Sequence, residues 1–196
     1  DTEGEKRAPN KWLELGSILS IILLGLMAIT GFSAIPVAIV VPIALLGSLA
    51  HAWRQSRWGI QRCWKEPLLW SLHLTYLFIP CGLFLLALWR LDLLLNLSVV
   101  IHCFTVGAMG GMILAMISRI TLLHTGRALK TLGLMSLAFT ALLLAAVLRV
   151  LLPGWFPEFS YWGIGLASLL WVVAFALYLV YYSPMLLSPR PDGAPG

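Results

Sequence analysis

Hydrophobic and polar positions alternate here on a long scale. Six apolar stretches of about twenty residues, the length that crosses the hydrocarbon core of a bilayer, are separated by short polar or proline- and glycine-containing breaks. They predict spans at about 13–32, 35–53, 67–89, 96–120, 131–152 and 162–182. Pro36 falls in the first turn of the second span and Pro67 at the start of the third, positions where the missing N–H is not needed. Pro42 lies inside the second span, as membrane helices tolerate. Pro153 and Gly154 stop the fifth span, and Pro184 ends the sixth. Residues 1–11 read as a flexible charged lead-in and 12–184 as one transmembrane domain. Residues 185–196, rich in proline and glycine, read as a disordered tail. The predicted fold is all-α, a polytopic bundle of six spans.

Composition agrees and excludes other classes. The 196 residues are 60% hydrophobic and 11% charged, against about 25% charged in a soluble domain. The net charge of +5 does not indicate nucleic acid, because the basic residues sit in short loops, where membrane topology claims them. Of the 13 lysines and arginines, 11 fall in the lead-in, the loop over 54–65, the exit over 119–130 and the tail; Arg90 and Arg149 count to the other side. The positive-inside rule then places both ends in the cytoplasm. Three cysteines without a CxxC make neither a disulfide framework nor a zinc site. There is no P-loop, HExxH or nucleophile elbow, and no acid deep in a span of the kind a proton-coupled pump uses. Asp1 stands first and no signal pattern precedes the first span, so the chain is expected to be a fragment or a processed piece.

Candidate chemistry concentrates in residues 102–130, HCFTVGAMGGMILAMISRITLLHTGRALK. On a regular helix, at about 100° per residue, His102, Thr105, Met109, Met112, Met116 and Arg119 share one arc. Gly107, Gly111, Ala115 and Ser118 lie opposite. Small residues on one face let membrane helices approach closely, which predicts a helix contact at Gly111. The other face offers a donor or ligand at nearly every turn, although methionines also serve as adaptable packing. His102 lies about six residues in from the outer end of its span, with Cys81 at similar depth and Cys103 beside it. Imidazole with soft sulfur ligands suits copper, and a histidine inside a bundle suits a haem axial ligand. A core histidine bonded to a carbonyl is the plain alternative. A second, inner candidate is His73 with His124 and His51. Arg119 and Arg127 could clamp a carboxylate such as a haem propionate, or only anchor the helix at the headgroups. His102 and His124 are 22 residues apart, ~33 Å along a helix, so they cannot share one metal.

The stretch resembles the NnrS family of bacterial membrane proteins. The matching residues are His102, Thr105, Gly107, Ala108, Gly110 or Gly111, Met112, Ala115 and Met116. The run Ser118, Arg119, Thr121, Leu122, His124, Thr125, Gly126 and Arg127 is the specific part. Leu123 departs, standing where the family usually has glycine. Looser similarity reaches back over Pro67–Pro80, in the P-L-L-W-x-L-H-L-x-Y pattern. The resemblance implies a haem- and copper-containing protein of the bacterial inner membrane, concerned with nitric oxide metabolism or nitrosative-stress resistance. Nitric oxide or an iron-nitrosyl species is the implied ligand. It also implies twice as many spans, this chain being the C-terminal half beside a missing N-terminal half. It favours ligand roles for His102, His73 and His124, with Arg119 and Arg127 in the cofactor site. Cys81, Cys103, Met109, Met112 and Met116 are weaker metal candidates. The residues themselves show histidines at two depths, assign no catalytic group, and leave open half of a secondary transporter for a small solute or an assembly subunit.

Overall fold

The structure, a computed structural model, describes residues 10–193 apart from 60, 62, 95 and 132. Asn10 opens the first helix by accepting the amide N–H groups of Trp12 and Leu13 at 3.2 and 3.4 Å. Helix α1 runs Lys11–Thr30 and ends at Gly31, whose φ of +84° suits a residue without a Cβ. Helix α2 runs Val37–Ser56, directly after Pro36.

The third span is two helices, α3 (Pro67–Tyr76) and α4 (Phe78–Arg90). Together they make one span, Pro67–Arg90. Pro80 explains the break: it has no N–H for the Tyr76 carbonyl, and its ring crowds the preceding turn. Leu77, at the joint, keeps helical angles of −57° and −27°, so the chain kinks and does not turn. The Ser48 hydroxyl of α2 donates to the Pro80 carbonyl at 2.8 Å.

The fourth span has three parts. Helix α5 (Leu97–His102) is capped by Asn96, which accepts from the Ser98 amide at 2.8 Å. A π-helical segment follows over Cys103–Gly110, and then α6 over Gly111–His124. Helix α7 runs Met135–Trp155, and a short 3-10 turn (Pro157–Phe159) leads into α8 (Ser160–Leu186).

The six spans are 20 to 30 residues long and apolar enough to cross a membrane, and no strand occurs among the described residues. The all-α polytopic fold is as the sequence predicts. We call the end holding the Arg- and Lys-rich loops the basic end and the other the far end. The sixth helix passes through Pro184 to Leu186. Beyond it the chain folds back, and Arg190 donates to the His124 carbonyl at 2.9 Å while forking onto Asp192 at 2.9 and 2.6 Å. Arg190 there meets a carbonyl left unpaired at the end of α6. Residues 194–196, and 1–9 of the lead-in, lie outside the described residues.

The kink hands the third span from one neighbour to another. Helix α4 packs on α2, whereas α3 packs on α6 and α7. Two clusters of buried side chains result. One, around Leu83, Leu86, Val99 and Val40, joins α2, α4 and α5. The other, around Leu114, Met135, Phe139 and Tyr182, joins α6, α7 and α8. Glycines set the spacing between spans three and four. A Cβ at Gly111 would overlap Thr75, one at Gly107 would overlap the Phe78 ring, and one at Gly82 would lie 2.7 Å from Phe104. Gly107, Gly111, Ala115 and Ser118 are all buried, so the small-residue face meets a neighbouring helix as expected.

Candidate functional site: a cationic cleft and a histidine–aromatic cluster

The last residue of α5 is His102. Its Nδ1 lies 2.6 Å from the Ser98 carbonyl and 3.0 Å from the Ser98 hydroxyl, and its Nε2 lies 3.0 Å from a guanidinium nitrogen of Arg149. Arginine only donates. Nε2 therefore carries the lone pair, Nδ1–H donates to the carbonyl one turn back, and the imidazole is neutral. The two side chains line a cleft of 360 Å³ between span four, α7 and α8, together with Ser168 and Trp171. Arg149 was not foreseen as a site residue. It falls within the predicted span 131–152, yet it was counted with the loop charges; a charge inside a span was the available signal.

The cysteines face another way. Cys81 and Cys103 line a separate apolar cleft of 290 Å³ with Phe78, Val150 and Trp155. The Cys103 thiol donates to the Phe78 carbonyl at 3.4 Å. His102 and Cys103 are adjacent in sequence and open into different clefts. Met109 and Met116 are 58% and 43% exposed on the outer surface of the bundle, and Met112 is half-buried. The π-helical turns explain this. Bonding from i to i+5 fits more residues into each turn than an α-helix does, so positions after Cys103 lag behind the phase set by His102. His102, the cysteines and the methionines are not brought together. Among the described residues, no three His, Cys, Asp or Glu side chains group as a metal site.

The inner candidate also divides. His51, 4% exposed, is engaged at both nitrogens. Nδ1 lies 2.6 Å from the Tyr76 hydroxyl and Nε2 lies 3.1 Å from the Ser17 carbonyl. Since a carbonyl only accepts, Nε2–H donates to Ser17 and Nδ1 accepts from Tyr76. Arg54 donates to the same hydroxyl at 3.1 Å and reaches the Glu14 carboxylate at 3.6 Å. His73 stands beside this group, with its ring edge-on to Trp58 at 5.7 Å. Its Nδ1 lies 3.0 Å from the Leu69 carbonyl. Its Nε2 is buried without a partner, as are Gln55 Oε1 and Arg54 Nε. The Gln55 amide donates to the His73 carbonyl at 2.6 Å.

His124 lies elsewhere, exposed at the end of α6. Arg127 is taken up locally, donating to the Thr125 carbonyl at 3.2 Å and to the Ser188 hydroxyl at 3.0 Å. Gly126 has φ +67°, with the Asp192 carboxylate 2.7 Å from where a Cβ would stand. The S-R-x-T-L-x-H-T-G-R run thus fastens the end of span four to the end of span six. Arg119 sits half-buried on α6.

His73 and His102 share one arrangement. Each gives Nδ1–H to the carbonyl four residues before it, which turns Nε2 away from its own helix. Together these features define a six-span helical membrane bundle with pre-oriented histidines near opposite ends and an arginine with no acid beside it next to the far-end histidine. A sequence model of the NnrS protein family matches residues 3–190, and the chain belongs to that family. No curated protein and no solved structure matches it.

Proposed function

We propose that this chain is a haem- and copper-associated protein of the bacterial inner membrane that handles nitric oxide or iron-nitrosyl species, in nitric oxide metabolism or nitrosative-stress resistance. Membership of the NnrS family supports the link to nitric oxide. The observation that carries the cofactor reading is the shared state of His73 and His102. A histidine that ligates a metal characteristically donates its other N–H to a carbonyl or carboxylate, which fixes both tautomer and ring. Both residues do this within their own helix. An unpaired polar atom in a buried site costs roughly 1–3 kcal/mol, and the buried His73 Nε2 is such an atom. The residues fit haem iron better than copper. For copper, the chain offers the two soft sulfurs of Cys81 and Cys103 in one apolar cleft, with no third His, Cys, Asp or Glu beside them among the described residues.

Haem held at either histidine would supply an iron centre that a small apolar gas can reach through lipid. The chain's own part is positional. Ser98 and Leu69 carbonyls hold the rings, apolar walls exclude water, and Arg149 adds positive charge beside His102. The test is haem content in purified full-length protein. His73→Ala and His102→Ala are each expected to insert and to lose Soret absorbance, while His124→Ala keeps it. Full absorbance in both of the first two variants would overturn the reading. The basic asymmetry supports a cytoplasmic location for both chain ends. Cysteines introduced at Ser33 and Glu158 should then be labelled from the periplasmic side, and labelling from the cytoplasm alone reverses the orientation.

A further inference from the structure

We infer that the cleft beside His102 binds a carboxylate carried on an apolar body, with Arg149 as its anchor. The argument starts from charge. Arg149 lies six residues before the end of α7 at Trp155, ~9 Å along the helix axis. Its one hydrogen-bond partner is the neutral His102 ring. The ion pairs Glu14–Arg54 and Arg190–Asp192 lie elsewhere, and among the described residues no acid pairs with Arg149. Charges inside a membrane bundle are paired or mark a binding path, because desolvating an unpaired one is costly.

The cleft supplies several N–H donors and no acid; the Ser168 hydroxyl, which donates to the Ile164 carbonyl at 2.9 Å, adds only a neutral acceptor. A guanidinium has five N–H groups in a planar fork suited to a carboxylate, and the His102 bond occupies one of them. The Trp171 indole, which carries a further N–H, lines the same cleft. The His102 Nε2 lone pair is already used by Arg149. Apolar side chains such as Val106 and Ile164 complete a volume of 360 Å³, far larger than a carboxylate alone requires. The cleft borders α8, whose surface is mostly exposed, so an amphipathic acid can enter sideways from the bilayer. Two sources share this chemistry, a porphyrin propionate and a free fatty acid. The porphyrin arm rests on the haem reading above; the fatty-acid arm does not.

The experiment uses purified full-length protein in a non-ionic detergent, with two matched probe pairs. Thermal melting is followed with dodecanoate against dodecanol, and absorbance titration with protohaem against its dimethyl ester. For wild-type protein, at least one acid is expected to bind about tenfold or more tightly than its uncharged partner, the scale of a charge-assisted hydrogen bond. Arg149→Gln should abolish the discrimination, Arg149→Lys should keep part of it, and Trp171→Phe should reduce it a few-fold. Should Arg149→Gln fail to fold, the other two variants carry the test. Discrimination in the first pair alone assigns a lipid acid, and in the second alone a propionate. Wild-type protein blind to the carboxylate in both pairs, or Arg149 variants that discriminate as well as wild type, overturns the inference. Protein that takes no haem yet prefers dodecanoate to dodecanol overturns the haem reading and keeps this one. Protein that loses haem on His102→Ala yet treats every acid like its neutral partner does the reverse.

Discussion

Two arginines, one near each end of the bundle, are treated in opposite ways. At the basic end, Arg54 has the Tyr76 hydroxyl, the Glu14 carboxylate, and the rings of Trp58 and Tyr76 at 5.4 and 5.9 Å from its guanidinium carbon. Hydrogen bond, ion pair and cation–π contact all come from the chain itself. At the far end, Arg149 has one neutral imidazole. The difference teaches what each charge is for. A cation whose charge the fold itself offsets is part of the scaffold, even with its Nε left unpaired as in Arg54, whereas one with no acid beside it in a cleft is arranged for something that arrives later. The histidines divide similarly. His51 has both nitrogens engaged in bonds that tie three helices, while His73 and His102 keep Nε2 free of any bond to their own helix.

The largest effect should come from breaking the seam on which both ends depend. Gly111→Leu drives a side chain into Thr75, and overpacking of this kind costs about 1–3 kcal/mol or more. The yield of monodisperse protein should fall sharply, and an unchanged melting curve would show that spans three and four do not meet as described. Next comes His51→Ala, which leaves the Tyr76 O–H without its acceptor and a void in a buried site, while the Ser17 carbonyl keeps the Ser20 hydroxyl and Tyr76 keeps Arg54. A loss of about 1–3 kcal/mol is expected, or several degrees in Tm for a chain of this size. His73→Ala sharpens the contrast. It removes one bond to a carbonyl of its own helix, so cofactor-free protein should melt within about 1 kcal/mol of wild type. Equal destabilisation by both substitutions would make His73 another structural histidine. The smallest effect belongs to Glu14→Gln. The pair with Arg54 spans 3.6 Å between side chains 28% and 44% exposed, and such pairs contribute about 0–1 kcal/mol. A drop well beyond that would mean that Arg54 depends on Glu14 and is less self-sufficient than its other contacts imply.

The spans could be read in advance because length and apolarity alone define them. The contact at Gly111 was legible too, since glycine, alanine and serine recur on one face of α6. What lay beyond reading was phase. The shared arc of His102 and the methionines assumed an uninterrupted α-helix, and eight π-helical residues placed Met109 and Met116 on the outer surface. No single side chain among CFTVGAMG announces that geometry. The kink at Leu77 was within reach, because Pro80 is visible in the sequence. Arg149 was hidden by bookkeeping, a charge assigned to topology while it sat inside a span. The division of the inner histidines depended on distant pairings, His51 with Ser17 and His124 with Arg190, which periodicity within one helix does not encode.

The π-helical stretch gives the fourth span a latitude that ordinary helices lack. It holds surplus chain, so one residue could be removed between Cys103 and Gly110 and the neighbours would still be joined by helix. In an α-helix the loss of one residue turns everything beyond it by about 100°, given 3.6 residues per turn. Here the residue comes out of the surplus: the wider turns relax to α-helical ones and the far side turns by much less. Deletion, among the changes most ruinous to a buried helix elsewhere, is here largely absorbed within the span that suffers it.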